Sequence, residues 1–168
     1  GLAAFAREFR DHGRRMTDGR ASFVRAGLNY RLTDFQAALG LSQLARIGEI
    51  LEWRRHLARS YLDLLDGLPL VLPVDGGLAS AWQSFVVRLD SGTNREEVIG
   101  SLAELGIESS LGTIALPLTM HFSELSPVIP QELSVVEDLS ESSLALPFFT
   151  TMTRADQQRV TKALEAAL

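Results

Sequence analysis

The sequence predicts a mixed α+β chain in which a helical first part, residues 1–67, precedes a small α+β module, residues 68–168. Three observations predict it. Apolar residues recur at helical spacing from Ala37 to Leu65, residues 82–89 (WQSFVVRL) alternate, and residues 154–164 are again amphipathic at helical period. A short, mostly antiparallel sheet with helices on one face buries both kinds of stripe.

Element by element, residues 2–12 (LAAFAREFRDH) place Leu2, Phe5, Ala6 and Phe9 on one helical face, and Gly13 suits a left-handed cap. Residues 13–31 are rich in Gly and Arg without a steady period and read as a positively charged loop. Thr33-Asp34-Phe35-Gln36 is a capping box, in which hydroxyl and amide satisfy each other's backbone N–H. The stripe that follows contains Gly40 and Gly48, each costing about 1 kcal/mol relative to alanine, and Gly48 marks the expected bend between two helices. Gly67 and Pro69 close the helical region.

Residues 70–72 form a short apolar run stopped by Pro73, and Asp75-Gly76-Gly77 reads as a turn. Phe85, Val87 and Leu89 fall on one face of the predicted strand at 82–89. A helix at 95–105 ending on Gly106, a strand at 107–111 and a mostly irregular stretch at 112–131 follow, the last broken by Pro117, Pro127 and Pro130 with one helical turn near 121–125. A short helix over 133–142, a tight Leu146-Pro147 segment and a last helix starting at Thr153 complete the chain, with Asp156 in the first turn of that helix.

At 168 residues, 46% hydrophobic and 22% charged, the chain is apolar enough for a folded core and too apolar for disorder. It has no cysteine, which excludes disulfides, thiolate metal sites and a cysteine nucleophile. His12, His56 and His121 lie far apart without metal-ligand spacing, so no metal site is expected. No apolar run reaches the length of a membrane span and no signal peptide is evident, so a cytoplasmic location without membrane contact is expected. The net charge of −5 hides an asymmetry: residues 1–31 hold seven arginines against three acids, giving +4. Fifteen of the sixteen basic residues are arginine, and the single lysine is Lys162. A nucleic-acid partner is not expected, because the arginine-rich stretch lacks a recognition helix and interleaved aromatics.

Catalytic motifs are scarce. No GxGxxG, GxxxxGK[ST] or GxSxG occurs. Glu96-Glu97 and Glu137-Asp138 read as solvated helix faces, His56 as structural or exposed, and His121 as a loop residue beside Phe122. Lys162 sits on an amphipathic helix with nothing to suggest the apolar pocket that an amine nucleophile needs. Residues 27–44, GLNYRLTDFQAALGLSQL, stand apart. Asn29 and Arg31 offer an amide donor and a guanidinium fork just before a helix cap, a combination suited to phosphate oxygens. The residues equally allow Asn29 to set a turn and Arg31 to pair with Asp34.

This stretch, continued as ARIGEILEWRRHLARSYLDLL, resembles the signature of the DegT/StrS-type nucleotide-sugar aminotransferases, pyridoxal-phosphate enzymes of fold type I. RDHGR at 10–14, REEVIGSLAELGIESS at 95–110 and LALPFFTTMTRADQQRVTKAL at 144–164 are similar to further family segments, in order along nearly the whole chain. The resemblance implies the C-terminal part of a longer enzyme: residues 1–31 as the end of a large cofactor domain, 32–67 as dimer and linker helices, and 68–168 as the small C-terminal domain. It implies pyridoxal 5′-phosphate held by a lysine outside this segment, which by itself is expected to be inactive. It implies a homodimer that moves an amino group from an amino acid to a keto sugar nucleotide, in amino-sugar biosynthesis for polysaccharides or antibiotics. In the family the N-Y-R asparagine reaches the cofactor phosphate of the neighbouring subunit and the arginine lies toward the nucleotide-sugar phosphates; here these are Asn29 for the cofactor and Arg31 for the substrate. Leu28 stands where members usually have tyrosine, and SLGTIALPLTMHF lacks the family's hYxP tyrosine. The other readings are a non-catalytic paralogue or stand-alone dimerisation or regulatory module, and a lysine-less sugar dehydratase of the same family.

Overall fold

The computed structural model describes residues 1–74, 80–124 and 133–168. The turn expected at 75–77 and the irregular chain around Pro127 and Pro130 lie outside the described residues. Two compact units form, Gly1–Ile47 and Gly48–Leu168.

The first unit opens with α1 (Leu2–Phe9), where Phe5 stacks on Phe9 at 5.7 Å between centroids. The helix stops three residues before the expected end, and His12 and Gly13, both with positive φ, turn the chain. The next residues correct the sequence reading. In place of a loop, 13–31 contains a hairpin of β1 (Arg14–Thr17) and β2 (Arg20–Phe23). Asp18 and Gly19, at φ 49° and 78°, make the two-residue turn whose twist matches paired strands. All eight strand residues are exposed, so no apolar alternation announced them. In α2 (Asp34–Ala45) the capping box is formed: Thr33 Oγ1 accepts from the Gln36 N–H at 3.3 Å, and the Thr33 N–H donates to Gln36 Oε1 at 3.0 Å. The helical run breaks at Arg46, two residues before the expected Gly48.

In the second unit, α3 (Ile47–Leu65) buries Leu57, Ala58, Tyr61 and Leu65, a stripe at helical spacing. A four-stranded antiparallel sheet follows the order β3-β4-β6-β5, from β3 (Leu70–Val71), β4 (Phe85–Leu89), β5 (Ser110–Leu111) and β6 (Ser143–Leu146). Phe85, Val87 and Leu89 face the core with α4 (Arg95–Glu104) and α7 (Arg154–Ala167), while Arg88 on the opposite face pairs with Asp138 of α6 (Ser134–Ser142) at 3.3 Å. The predicted strand at 82–89 is shorter by three residues, because Trp82 takes φ 46°. Strand β6 was not anticipated beyond a tight Leu146-Pro147 segment, yet it pairs on both sides, Phe85↔Leu146 with β4 and Ser110↔Ala145 with β5. At four residues it is too short for its alternation (Leu144 and Leu146 buried, Ala145 less so) to stand out in sequence. Pro147 lacks the N–H that a longer ladder would need. The stretch after β5 contains α5 (Met120–Ser123), close to the single helical turn expected.

The core centres on Phe85, which meets Tyr61, Trp82 and Phe148 at 4.9, 5.8 and 6.1 Å. Tyr61 is fully buried, and its hydroxyl donates to the Pro147 carbonyl at 3.0 Å. Burial pushes its pKa far upward, so it stays a neutral donor. Phe85→Ala is expected to cost about 3–5 kcal/mol, whereas Arg88→Ala, which loses an exposed pair, is expected to cost under about 1 kcal/mol. Urea unfolding of the two variants checks the contrast.

Candidate functional site

Asn29 and Arg31 are positioned by backbone before side chains take part. Residues 28–30 run beside the end of α1: the Leu28 N–H donates to the Phe9 carbonyl at 2.7 Å, the His12 N–H to Leu28 at 3.0 Å and the Tyr30 N–H to Arg10 at 2.8 Å. Asn29 and Asp11 form an antiparallel bridge. The approach is possible because both crossing points are glycine. A Cβ on Gly27 would lie 2.2 Å from the Gly13 nitrogen, and one on Gly13 would lie 1.7 Å from the Arg25 carbonyl oxygen.

Two carboxylates organise the charge. Glu8, only 7% exposed, accepts a hydrogen bond from Arg15 Nε on Oε1 at 2.6 Å, and Arg25 Nε lies 2.7 Å from Oε2 as an ion pair. The hydrogen bond from Arg15 holds the Glu8 carboxyl below its ordinary value and raises the pKa of Arg15 in turn. Arg25 also lies over the Phe5 ring at 4.7 Å. Asp11 takes Arg14 at 2.7 Å and Arg31 Nε at 3.4 Å. The alternative pairing of Arg31 with Asp34 is thus not the one formed; the carboxylate it finds lies twenty residues upstream, across the backbone bridge.

Arg31 Nε also donates to Asn29 Oδ1 at 3.2 Å. This bond occupies the carboxamide oxygen and leaves the Asn29 amide N–H groups as donors beside a guanidinium that is about half exposed. The adjoining cleft, about 350 Å³, is lined by Arg7, Arg10, Arg14, Arg15 and Arg31 against Glu8 and Asp11, a surplus of three positive charges. Such a site can hold anionic oxygens through charge-assisted hydrogen bonds.

The other candidates lie elsewhere. Both acid pairs are exposed, and Glu97 accepts from the Asn94 cap of α4 at 2.8 Å. His121 is exposed on α5, edge-on to Phe122 at 5.1 Å, and Lys162 is exposed on α7. His56 lies near Trp53, 6.1 Å between ring centroids. Sequence reasoning missed Glu8, Asp11, Arg15 and Arg25 as the frame of the site; the Asp18-Gly19 dipeptide was the signal that could have folded Arg15 back toward Glu8.

Because the folded Glu8 pKa is depressed, its contribution is fully present above the ordinary carboxyl value of 4.5 and is lost as pH falls through the lower folded value. Amide protection factors at Val24, Leu28 and Tyr30 are expected to drop over that acid range. Glu8→Gln is expected to lower them at neutral pH and to flatten the pH dependence, as read by hydrogen exchange.

Comparison with known proteins draws the same outline. Among solved structures, an aminotransferase from Brucella abortus has 29% identity and a TM-score of 0.83, with 98% of this chain and 43% of that one covered. DesV of S. venezuelae also has 29% identity, with a TM-score of 0.80 and the same coverage. A sugar aminotransferase of Streptococcus pneumoniae in its PMP form shares the fold at 19% identity and a TM-score of 0.86, covering 99% of this chain and 43% of its own. The chain therefore spans less than half the length of these structures. The model of the DegT/DnrJ/EryC1/StrS aminotransferase family matches residues 1–165, and the chain belongs to that family.

Proposed function

We propose that this chain is the C-terminal portion of a pyridoxal-phosphate-dependent aminotransferase that acts on keto sugar nucleotides in amino-sugar biosynthesis, with an amino acid as donor. The observation that carries this reading is the Arg31–Asn29 contact, which leaves a carboxamide donor and a guanidinium side by side on a backbone-fixed segment. That donor set fits a phosphate: the guanidinium stays charged at working pH, and with the Asn29 oxygen turned to Arg31 the carboxamide presents its N–H groups. Asn29 holds the cofactor phosphate of the neighbouring subunit, and Arg31 turns toward the phosphates of the nucleotide sugar. Pyridoxal phosphate, when bound, supplies the electron sink for amino-group transfer. This chain's residues fix its phosphate and orient the substrate.

The homodimer is supported by α2, where Phe35, Leu39, Leu41 and Leu44 are each more than half exposed. A helix that exposes apolar side chains on more than one side is suited to burial against other polypeptide surfaces. Under this reading residues 32–67 are dimer and linker helices and 68–168 the small domain. The lysine that holds the cofactor comes from outside this segment, since Lys162 is exposed on α7, and the segment alone does not transaminate. A nucleic-acid role for residues 1–31 is disfavoured by the ion pairs that engage Arg14, Arg15, Arg25 and Arg31. Among the described residues no helix is long and apolar enough to cross a membrane.

In the complete dimeric enzyme, Asn29→Ala is expected to weaken cofactor retention by about 1–3 kcal/mol, the loss of one hydrogen bond to a charged group. Arg31→Ala is expected to raise KM for the nucleotide sugar with little change in cofactor affinity. Equilibrium dialysis of the cofactor and steady-state kinetics test the pair; unchanged retention in Asn29→Ala counts against the assignment.

A further inference from the structure

The cleft beside Arg31 holds more positive charge than a contact to one phosphate from Asn29 and Arg31 would use. It measures about 350 Å³, within the range of small-molecule sites, and is lined by Arg7, Arg10, Arg14, Arg15 and Arg31. Its apolar lining among the described residues is Ala4 and Met16, with no aromatic wall.

The five arginines fall into two sets. Arg14 Nε donates to Asp11 at 2.8 Å, Arg15 Nε donates to Glu8 at 2.6 Å, and Arg31 Nε lies 3.4 Å from Asp11. A guanidinium anchored at Nε keeps further N–H donors for a ligand. Arg7 and Arg10 have no carboxylate partner among the described residues, and both are exposed. The end of α1 favours one cation, Arg7 in its last turn. Arg10 adds a second three residues on, a spacing at which like charges repel. With Glu8 and Asp11 set against the five arginines, a surplus of three positive charges remains in one small cleft.

A ligand matched to that cleft is compact, trivalent and independent of apolar contact. Two linked phosphoryl groups meet all three conditions, since near neutral pH they carry about three negative charges on acceptor oxygens. We propose that the cleft binds inorganic pyrophosphate, with Arg7 and Arg10 supplying the charge that the two carboxylates leave unbalanced. Phosphate or sulfate would leave part of the surplus unmatched. A nucleoside diphosphate has the same phosphoryl pair, but its base and sugar would find no apolar wall. The inference rests on the foregoing reading at Arg31 alone, where pyrophosphate would compete with the phosphates of the nucleotide sugar. A nucleotidyl transfer that makes such a sugar releases pyrophosphate, so the cleft would register that reaction's by-product.

Isothermal titration of the cofactor-loaded complete enzyme, in magnesium-free buffer at physiological ionic strength, tests it. Inorganic pyrophosphate is expected to bind saturably and at least tenfold more tightly than inorganic phosphate or sulfate. Arg7→Ala and Arg10→Ala are each expected to weaken pyrophosphate at least threefold, with Tm and cofactor retention unchanged. Neither substitution is expected to change the affinity for uridine diphosphate. Arg20→Ala, in the same unit but outside the cleft, is expected to leave pyrophosphate affinity as it is. Asn29→Ala is expected to do the same whatever it does to cofactor retention, so the two assignments fail separately. The proposal is overturned if pyrophosphate gives no saturable heat, or if both cleft variants bind it as before. Equal affinity for sulfate, or equal weakening by Arg20→Ala, would mark a general cationic surface and refute it. Parallel loss of uridine diphosphate in both cleft variants would assign the phosphoryl pair to a nucleotide, and loss of pyrophosphate in Asn29→Ala would move it to the cofactor phosphate; each also refutes it.

Discussion

Gly27 approaches the backbone of residues 12 and 13 so closely that the lightest side chain would collide with it, a Cβ lying 2.2 Å from the Gly13 nitrogen. That crossing brings residues 28–30 alongside the end of α1, where backbone bonds to Phe9, Arg10 and His12 fix them. The register of the crossing sets Asn29 opposite Asp11 and, through it, brings Arg31 within reach of both. Side chains on a loose exposed loop must be ordered, at an entropic cost, before they can make any contact. Here main-chain hydrogen bonds already order residues 28–30.

The arginines of the first unit differ in how firmly their guanidinium groups are held. Arg15 and Arg25 meet the two oxygens of Glu8, and Arg14 meets Asp11, so these cations tie the hairpin and the segment after it to α1. Among the described residues, Arg31 is held through its Nε by Asp11 and Asn29. The planar fork makes this division possible, since one edge can be anchored while the other presents donors. A lysine at position 31 would have to choose between the two tasks, and the near-total use of arginine over lysine in this chain is consistent with that demand.

In the second unit the equivalent economy lies in β6, whose four residues pair with both β4 and β5 and so hold the sheet together. Directly after it, the Pro147 carbonyl accepts from the Tyr61 hydroxyl, coupling the end of this inner strand to α3. Gln157 and Arg154 lace α3 to α7 in the same manner, by side chain to carbonyl and side chain to hydroxyl. The small sheet is thus framed by polar contacts from buried or half-buried groups around an aromatic centre at Phe85.

Local rules were enough for the long helices, the caps at Thr33 and Thr153 and the inward face of β4, because each is written in residues close together along the chain. Asn29 and Arg31 stood out in the sequence for the same reason, with their residues allowing equally a phosphate contact and a turn with an Asp34 pair. Tertiary structure alone decided that Arg31 turns to Asp11 and not Asp34, that Glu8 is buried between two arginines, and that Ser143–Leu146 is an inner strand of the sheet. Those outcomes depend on partners distant in sequence, brought together by a two-residue turn and a glycine crossing. A strand of four residues, or a fully exposed hairpin, buries too little in a regular pattern for its own residues to announce it.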